Sequence, residues 1–336
     1  EWVIIDSCLN PSTKESLVIS YLKKIGVDLK NDVKLVICTQ WHNDHIMGLS
    51  ETLRQCENAK FCMPSVNDTK KFLHFVGLDY SKISKGSISS FNEFRDCLQI
   101  TSEREMQVKR LGSDCVIYDE EILLSNSKKE NIQLFSLSPS DSVVANFDKE
   151  ISTLIKDFKL SKASVVHKTA NEKSSVIYLE YKGYSVLLGA DLEVGKHKHE
   201  GWKDIYNNSV LIKNKSIIYK VPHHGSANAY DENIYNKLID PNAILKLTPW
   251  NRNTKLPESE MINVYKKHTP NLYITSPVNI SSKAKKRDRS TEKIIKQFSR
   301  KLSEVRFEEG IIRTRHNLTL DENSINVNTY GKAFQI

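Results

Sequence analysis

Long apolar runs are missing from this sequence of 336 residues, in which no stretch approaches the roughly 18 apolar residues that a membrane helix needs. The start also lacks the charged, apolar and small-residue series of a signal peptide. We therefore expect a cytoplasmic protein without a membrane segment. The six cysteines lack the CxxC spacing of a zinc or redox site, so we expect reduced packing residues.

Several catalytic signatures are also absent. The sequence has no GxSxG nucleophile elbow, no GxxxxGK[ST] phosphate loop and no GxGxxG dinucleotide fingerprint. Its composition, 39% apolar and 27% charged, is that of an ordinary folded protein and excludes wholesale disorder. The length permits one large domain or two modest ones.

Short β-branched segments alternate with amphipathic ones, a pattern that predicts an α/β fold. Strands are predicted at residues 3–5, 33–38, 132–137, 175–181, 184–188, 216–220, 243–247 and 271–275, with a hairpin that turns at Lys182 and Gly183. Helices are predicted at residues 13–24, capped by Ser12, and at 141–158, 258–268 and 291–302. Residues 81–111 are the least patterned and predict an insertion or a lid.

Three predicted strands end in residues that bind divalent metals. The segments are VICTQWHNDH at residues 36–45, GAD at residues 189–191 and YKVPHHGS at residues 219–226. Layered α/β folds often place their chemistry at strand ends. Imidazole and carboxylate groups from three such ends can converge on one metal ion.

The spacing of His42, Asp44 and His45 resembles the first motif of the metallo-β-lactamase superfamily, His-x-His-x-Asp-His. The segments IIDS at residues 4–7, LGAD at 188–191 and VPHHGS at 221–226 extend the likeness to the ComEC-type hydrolases. The resemblance implies an αββα sandwich, two mixed β-sheets flanked by helices. Residues 1–276 would form this domain, and residues 277–336 a helix and strand extension packed on it. The family has a strand or hairpin before residue 4, so we expect that this sequence is part of a longer polypeptide.

The resemblance also implies a centre of one or two divalent ions, whose ligands would be His42, Asp44, His45, Asp191 and either His223 or His224. Asp191 would bridge two ions, and Asp44 and Asp191 are the expected catalytic residues. Asp6 would lie behind the ligands and orient one of them, unless it only caps a turn.

One position departs from the family pattern. Gln40 stands where the motif has its first histidine, and it is at best a weak amide ligand. Another ligand histidine of the family has no sure counterpart here. His167 lies several residues before the matching region, in which Asn171 and Ser174 correspond to an asparagine and serine stretch of ComEC-type sequences. Fewer nitrogen donors would favour Mn²⁺ or Mg²⁺ beside Zn²⁺. A single-metal or metal-free state stays open.

Two features suggest contacts with nucleic acid. A basic cluster contains Lys283, Lys285, Lys286 and Arg287, and it is either a solvated surface or a patch for the phosphate backbone. Trp250 and Arg252 follow a predicted strand, where they would stack on a base and hold a phosphate, unless the tryptophan is simply packed.

The sequence therefore predicts a metal-dependent hydrolase, a phosphodiesterase or nuclease that cleaves DNA or RNA through metal-activated water. The net charge of +8 favours this substrate over a β-lactam. The alternative is a non-catalytic binding or regulatory module of a larger assembly, for example a defence complex, in which the metallo-β-lactamase fold has lost its activity.

Overall fold

The computed structural model describes residues 1–66, 90–123, 129–156, 170–251, 254–278, 288–298, 309–318 and 323–336. The helices are α1 Leu17–Lys24, α2 Leu29–Asp32, α3 Asn43–Ile46, α4 Leu49–Gln55, α5 Ser90–Glu103, α6 Asp141–Lys156, α7 Gly201–Asn208, α8 Glu232–Leu238, α9 Ser259–His268 and α10 Arg289–Phe298. The strands are β1 Trp2–Ile5, β2 Val33–Ile37, β3 Lys60–Pro64, β4 Lys109–Leu111, β5 Cys115–Leu123, β6 Lys129–Ser136, β7 Ile177–Tyr181, β8 Tyr184–Leu188, β9 Ser216–Lys220, β10 Ile239–Leu247, β11 Leu272–Ile274, β12 Gly310–Leu318, β13 Asn323–Gly331 and β14 Phe334–Gln335.

The strands form two large sheets and a separate hairpin. A four-stranded sheet has the order β1-β2-β3-β4, and its neighbouring strands are parallel. An eight-stranded sheet has the order β14-β11-β10-β9-β8-β7-β6-β5, with parallel pairs from β8 to β11 and antiparallel pairs outside them. Strands β12 and β13 pair with each other.

Alternation along the strands separates three apolar cores. On β2, Leu35 and Ile37 face a core that also contains Leu134 and Ile177 of the eight-stranded sheet, so the two sheets pack against each other. Val36 points to the opposite face and joins a second core with side chains of α1, α4 and α5. A third core lies between the outer face of the eight-stranded sheet and α7, α8 and α9. The α/β class with helix-flanked sheets is confirmed, and the layers are compatible with a two-sheet sandwich.

The predicted strands all occur, with bounds that shift by a few residues. The hairpin of β7 and β8 is also confirmed: Lys182 and Gly183 have φ of 53° and 77°, as a tight turn between antiparallel strands requires. The prediction for the first helix was wrong at its start, because α1 begins at Leu17. The Asn10 side chain accepts hydrogen bonds from the backbone N–H groups of Ser12 and Thr13, which holds that segment in a turn, and Ser16 caps the helix.

The prediction for residues 81–111 was wrong in its second half. Residues 90–103 form α5, whose Phe94 and Cys97 are fully buried in the core with α4, and residues 109–111 form β4. Residues 81–89 lie outside the described part of the chain. In the C-terminal region, β14 extends the eight-stranded sheet. The hairpin of β12 and β13 contacts the same sheet through the edge-to-face contact of His316 with Tyr184 of β8.

Two simpler expectations can be checked in the described residues. Each helix there is too short or too polar to cross a membrane. All six cysteines are free thiols, of which Cys38, Cys56, Cys62 and Cys97 are buried. The packing interpretation fails for Cys8, which is exposed, and Cys115 is only partly covered.

Candidate metal centre

The candidate site lies where five strands from both sheets end. Asp6 follows β1 and residues 40–45 follow β2, while Asp191, His224 and Thr248 follow β8, β9 and β10. Because β1 and β2 are parallel, as are β8, β9 and β10, their carboxyl ends lie at common edges. A hydrogen bond of 3.0 Å from the His223 backbone N–H to the Ala190 carbonyl joins two of these loops.

The backbone at these strand ends is unusual. Asp6, Ala190, His223 and His224 have φ of 61°, 45°, 44° and 55°, a left-handed region that residues other than glycine seldom adopt. Such conformations cost about 1–3 kcal/mol each and concentrate at functional sites. Gly225 follows with φ of 76°, and a Cβ there would lie 2.8 Å from Leu247. The turn after β9 therefore needs glycine at this position.

Four side chains bring together one metal-binding atom each, all within 4.8 Å of one another: Asp44, His45, Asp191 and His224. We call them the four-donor group. Asp191 Oδ2 lies 3.1 Å from His45 Nε2, and Asp44 Oδ2 lies 3.0 Å from His224 Nε2. The crossed distances are 3.6 Å between His45 Nε2 and Asp44 Oδ2 and 3.9 Å between His224 Nε2 and Asp191 Oδ2. Two nitrogens and two oxygens thus face a common point.

Both imidazoles are oriented through their other ring nitrogen. His45 Nδ1 lies 2.7 Å from Asp6 Oδ2, and His224 Nδ1 lies 3.0 Å from the Thr248 carbonyl oxygen. An acceptor at Nδ1 keeps the proton there and leaves the Nε2 lone pair for a metal ion. Asp6 is fixed in turn by Thr39, whose backbone N–H and hydroxyl donate to it at 2.7 and 2.6 Å. This geometry agrees with an orienting role for Asp6.

Charges are strongly coupled in the four-donor group. Burial of Asp191 opposes its ionisation, but His45 and His224 more than offset burial and hold the pKa of its carboxyl well below the usual range. The same balance, with burial countered by His224 and His45, lowers the pKa of Asp44. Burial works against protonation of His45, yet Asp191 and Asp6 raise its pKa well above the usual value. Without a metal ion, the proton on His45 Nε2 supplies the positive charge that these carboxylates need.

Lys220 adds a further positive charge next to the carboxylates. It is the last residue of β9, and its ammonium donates to the Val221 carbonyl at 3.1 Å. Burial lowers the pKa of Lys220, while Asp191, Asp6 and Asp44 oppose that change. Its charge therefore reduces the mutual repulsion of the carboxylates.

Gln40 contacts the four-donor group as a donor. Its side chain is fully buried, and Nε2 donates to Asp191 Oδ2 at 2.8 Å. Its Oε1 is buried with no hydrogen-bond partner. The amide thus occupies an oxygen of the carboxylate that was predicted to bridge two ions.

The other predicted ligands lie outside the four-donor group. His42 precedes α3, and neither His42 nor His223 contributes an atom to the group. His223 contacts Asn171 and Asn228 instead, so the structure places His224, and not its neighbour, among the four donors. Ser174 is buried behind this region, where its carbonyl accepts from the Ser138 hydroxyl.

Trp250 is the predicted substrate contact that the described residues include. Its ring lies 5.1 Å from that of His224, and its backbone pairs with Leu256 in both directions. The tryptophan therefore packs on His224, one of the four donors, at the rim of the site. Arg252, Lys283, Lys285, Lys286, Arg287 and His167 lie outside the described residues.

Some residues of the site were not foreseen from the sequence. Thr39 anchors Asp6, Thr248 anchors His224, and Lys220 supplies charge. Glu193 and Asn228 surround His223. Lysine at the end of an apolar strand was a signal that could have been noticed, whereas a backbone carbonyl such as that of Thr248 leaves no signal in the sequence.

The donor chemistry fits a metal ion, because two imidazole nitrogens and two carboxylate oxygens are ligands that Zn²⁺ and Mn²⁺ accept. No protein-family model matches the chain, and no curated protein matches its sequence significantly.

Proposed function

We propose that this protein is a metal-dependent hydrolase with the αββα sandwich of the metallo-β-lactamase superfamily, and that it cleaves phosphodiester bonds in DNA or RNA. The observation that carries the proposal is the four-donor group, in which the Nδ1 atoms of both histidines meet acceptors. A group that served only for packing would not need both Nε2 atoms directed at carboxylates. The order of the motifs and the helix-flanked sheets support the same fold.

The chain's own residues have separable tasks in this proposal. Asp44, His45, Asp191 and His224 hold the ion, while Asp6 and the Thr248 carbonyl fix the two imidazoles. A divalent ion held here would lower the pKa of water and supply a nucleophile near neutral pH. Asp191 is only 4% exposed, whereas the Asp44 side chain is 27% exposed. Substrate therefore approaches from the side of Asp44 and Trp250.

The substrate class rests on charge and on the resemblance to ComEC-type hydrolases. The chain carries 49 lysine and arginine residues against 41 acidic ones, an excess that attracts polyanions. Lactonases, thioesterases and β-lactamases share the superfamily fold, so the fold alone does not select the bond. A phosphodiester agrees best with the basic chain.

Gln40 favours a second candidate, a binding module without catalysis. Its amide donates to Asp191 where the family motif has a metal-binding histidine, which weakens a second ion site. A domain that binds a single ion weakly, or none, would serve as a regulatory part of a larger assembly. Metal content and hydrolysis together distinguish the two candidates.

The test is hydrolysis of bis(p-nitrophenyl) phosphate and of labelled DNA and RNA by protein loaded with Mn²⁺ or Zn²⁺. We expect cleavage that a chelator abolishes and that His224→Ala lacks. The matched control is His197→Ala, since His197 is exposed and contributes no atom to the four-donor group, and it should retain full activity. Tight metal binding without cleavage of any of these substrates would contradict the nuclease proposal and favour the binding module.

A further inference from the structure

A second polar cluster surrounds His223, the neighbour of the ligand His224. His223 Nδ1 lies 3.0 Å from Asn228 Oδ1 and 3.8 Å from Glu193 Oε1. Its Nε2 lies 3.1 Å from Asn171 Nδ2, which also donates to Glu193 Oε1 at 3.3 Å. We call these four residues the His223 cluster. Since Asn228 Oδ1 can only accept, Nδ1 carries the proton and Nε2 presents a lone pair.

The amide of Asn171 is only half satisfied in this arrangement. Asn171 is 8% exposed, and its Oδ1 is buried without a hydrogen-bond partner. A buried polar atom left unpaired costs about 1–3 kcal/mol, so such an atom calls for an explanation. Rotation of the amide by half a turn would put Oδ1 in the place of Nδ2, beside His223 Nε2 and Glu193 Oε1. A divalent cation bound there would satisfy all three acceptors at once.

A cavity of about 280 Å³ gives access to the cluster from solvent. Glu193 and Asn228 belong to its lining, as do Glu172 and Glu200. Its carboxylates outnumber Lys173 and Lys196, the two lysines in the lining, so the cavity attracts cations. Nitrogen and oxygen ligands at about 2.0–2.2 Å from a metal ion are themselves about 3 Å apart. The Asn171 position meets this condition, since its Nδ2 lies 3.1 Å from His223 Nε2 and 3.3 Å from Glu193 Oε1.

We propose that His223 Nε2, Asn171 Oδ1 and Glu193 Oε1 form a second divalent cation site, reached through this cavity and filled after the Asn171 amide rotates. Two oxygen donors and one nitrogen donor favour Mn²⁺ or Mg²⁺ over softer ions. The site goes beyond the proposed function, because its ligands are distinct from the four-donor group. It also replaces the predicted pairing of the second ion with His42 and Gln40.

The experiment is equilibrium dialysis of the purified chain against Mn²⁺, with metal content measured by elemental analysis. We expect two ions in wild type, one in Glu193→Gln and one in His224→Ala. Glu172→Gln is the matched control, because it removes a carboxylate from the same cavity wall outside the cluster, and it should retain two ions. Thermal unfolding of each variant without metal verifies that it is folded.

Asn171→Asp provides a test that does not depend on losing a ligand. If the side chain binds a cation, the carboxylate should tighten the second ion by about tenfold or more, because close opposite charges attract. If Asn171 acts only as a donor to His223 and Glu193, the same change should leave ion binding unchanged or weaken it, which would overturn the inference. A wild-type protein with a single ion, lost in His224→Ala and kept in Glu193→Gln, would also overturn it and leave the proposed function intact. Absence of any bound ion would contradict both.

Discussion

His223 and His224 share the end of one strand and the left-handed conformation, yet their surroundings differ. His224 is anchored by a backbone carbonyl and directs Nε2 at two carboxylates. His223 directs Nε2 at an amide. The four-donor group thus directs two imidazole nitrogens and two carboxylate oxygens at one point, whereas in the His223 cluster the Asn171 amide must rotate before its oxygen can face a cation. The identity of the neighbouring groups, and not the histidine itself, decides the expected metal affinity.

The largest effect should come from Asp191, the most buried carboxylate of the four-donor group. Asp191→Ala should lose the ion bound there and reduce phosphodiester hydrolysis to background. Loss of a residue that only orients a ligand lowers metal affinity or activity by about 10–100-fold, and loss of a direct ligand should lower them further. Metal content and hydrolysis measure the result, and Asp191→Asn, which keeps the shape of the side chain, should show the same direction. Full activity in either variant would rule out the proposed metal centre.

Asp6 tests whether anchoring an imidazole matters. The two carboxylate oxygens of Asp6 accept from three donors: the Thr39 N–H, the Thr39 hydroxyl and His45 Nδ1. Asp6→Asn replaces one of these oxygens with an NH₂ group, which cannot accept. We expect ion affinity at the four-donor group to fall by about 10–100-fold, measured by competition with a chelating dye. Asp28→Asn is the control, since Asp28 only caps α2 at the surface. Unchanged affinity in Asp6→Asn would reduce Asp6 to a turn cap.

The pattern of the sequence was sufficient for eight of the fourteen strands in the described part of the chain, β1, β2 and β6 to β11, and for the position of Asp191, because alternation and turn residues are local properties. It did not give the bounds of β3, β4, β5, β12, β13 or β14. It was not sufficient for the first turn of α1, where the Asn10 side chain binds the backbone of the segment that was predicted to be helical. It also could not choose between His223 and His224. That choice depends on the Thr248 carbonyl and on Asn171, which are distant in the sequence and reach the histidines only through the fold.

A pH series should distinguish metal binding at the four-donor group from the stability of the metal-free protein, because the two depend on pH in opposite ways. The pKa of His45 is raised, so its protonation stabilises the metal-free fold fully below the unfolded pKa of about 6.5, and this contribution is lost as pH rises through the folded pKa. Metal binding has the opposite dependence, because Nε2 must lose its proton, and affinity should rise about tenfold per pH unit up to the folded pKa. Asp44 and Asp191, whose pKa values are lowered, contribute stability that is lost only as pH falls through their folded pKa values. Ion affinity independent of pH would show that His45 is not a ligand.

Gln40 offers the finest test of the idea that an amide donor substitutes for a cation. Gln40→Glu keeps the size of the side chain but puts a carboxylate 2.8 Å from Asp191 Oδ2, and two carboxylates this close cannot both ionise. We expect the metal-free protein to lose about 1–3 kcal/mol of unfolding free energy, measured by urea titration.

The loss in Gln40→Glu should shrink when Mn²⁺ is bound, because the ion then neutralises both carboxylates. Gln133→Glu is the matched control: Gln133 donates to Asp119 at 3.2 Å on the surface, where solvent screens the repulsion and the change should stay within about 0.5 kcal/mol. An equal loss with and without Mn²⁺ would mean that Gln40 acts by packing alone. The idea that an amide donor substitutes for a cation would then rest on Asn171 of the His223 cluster alone.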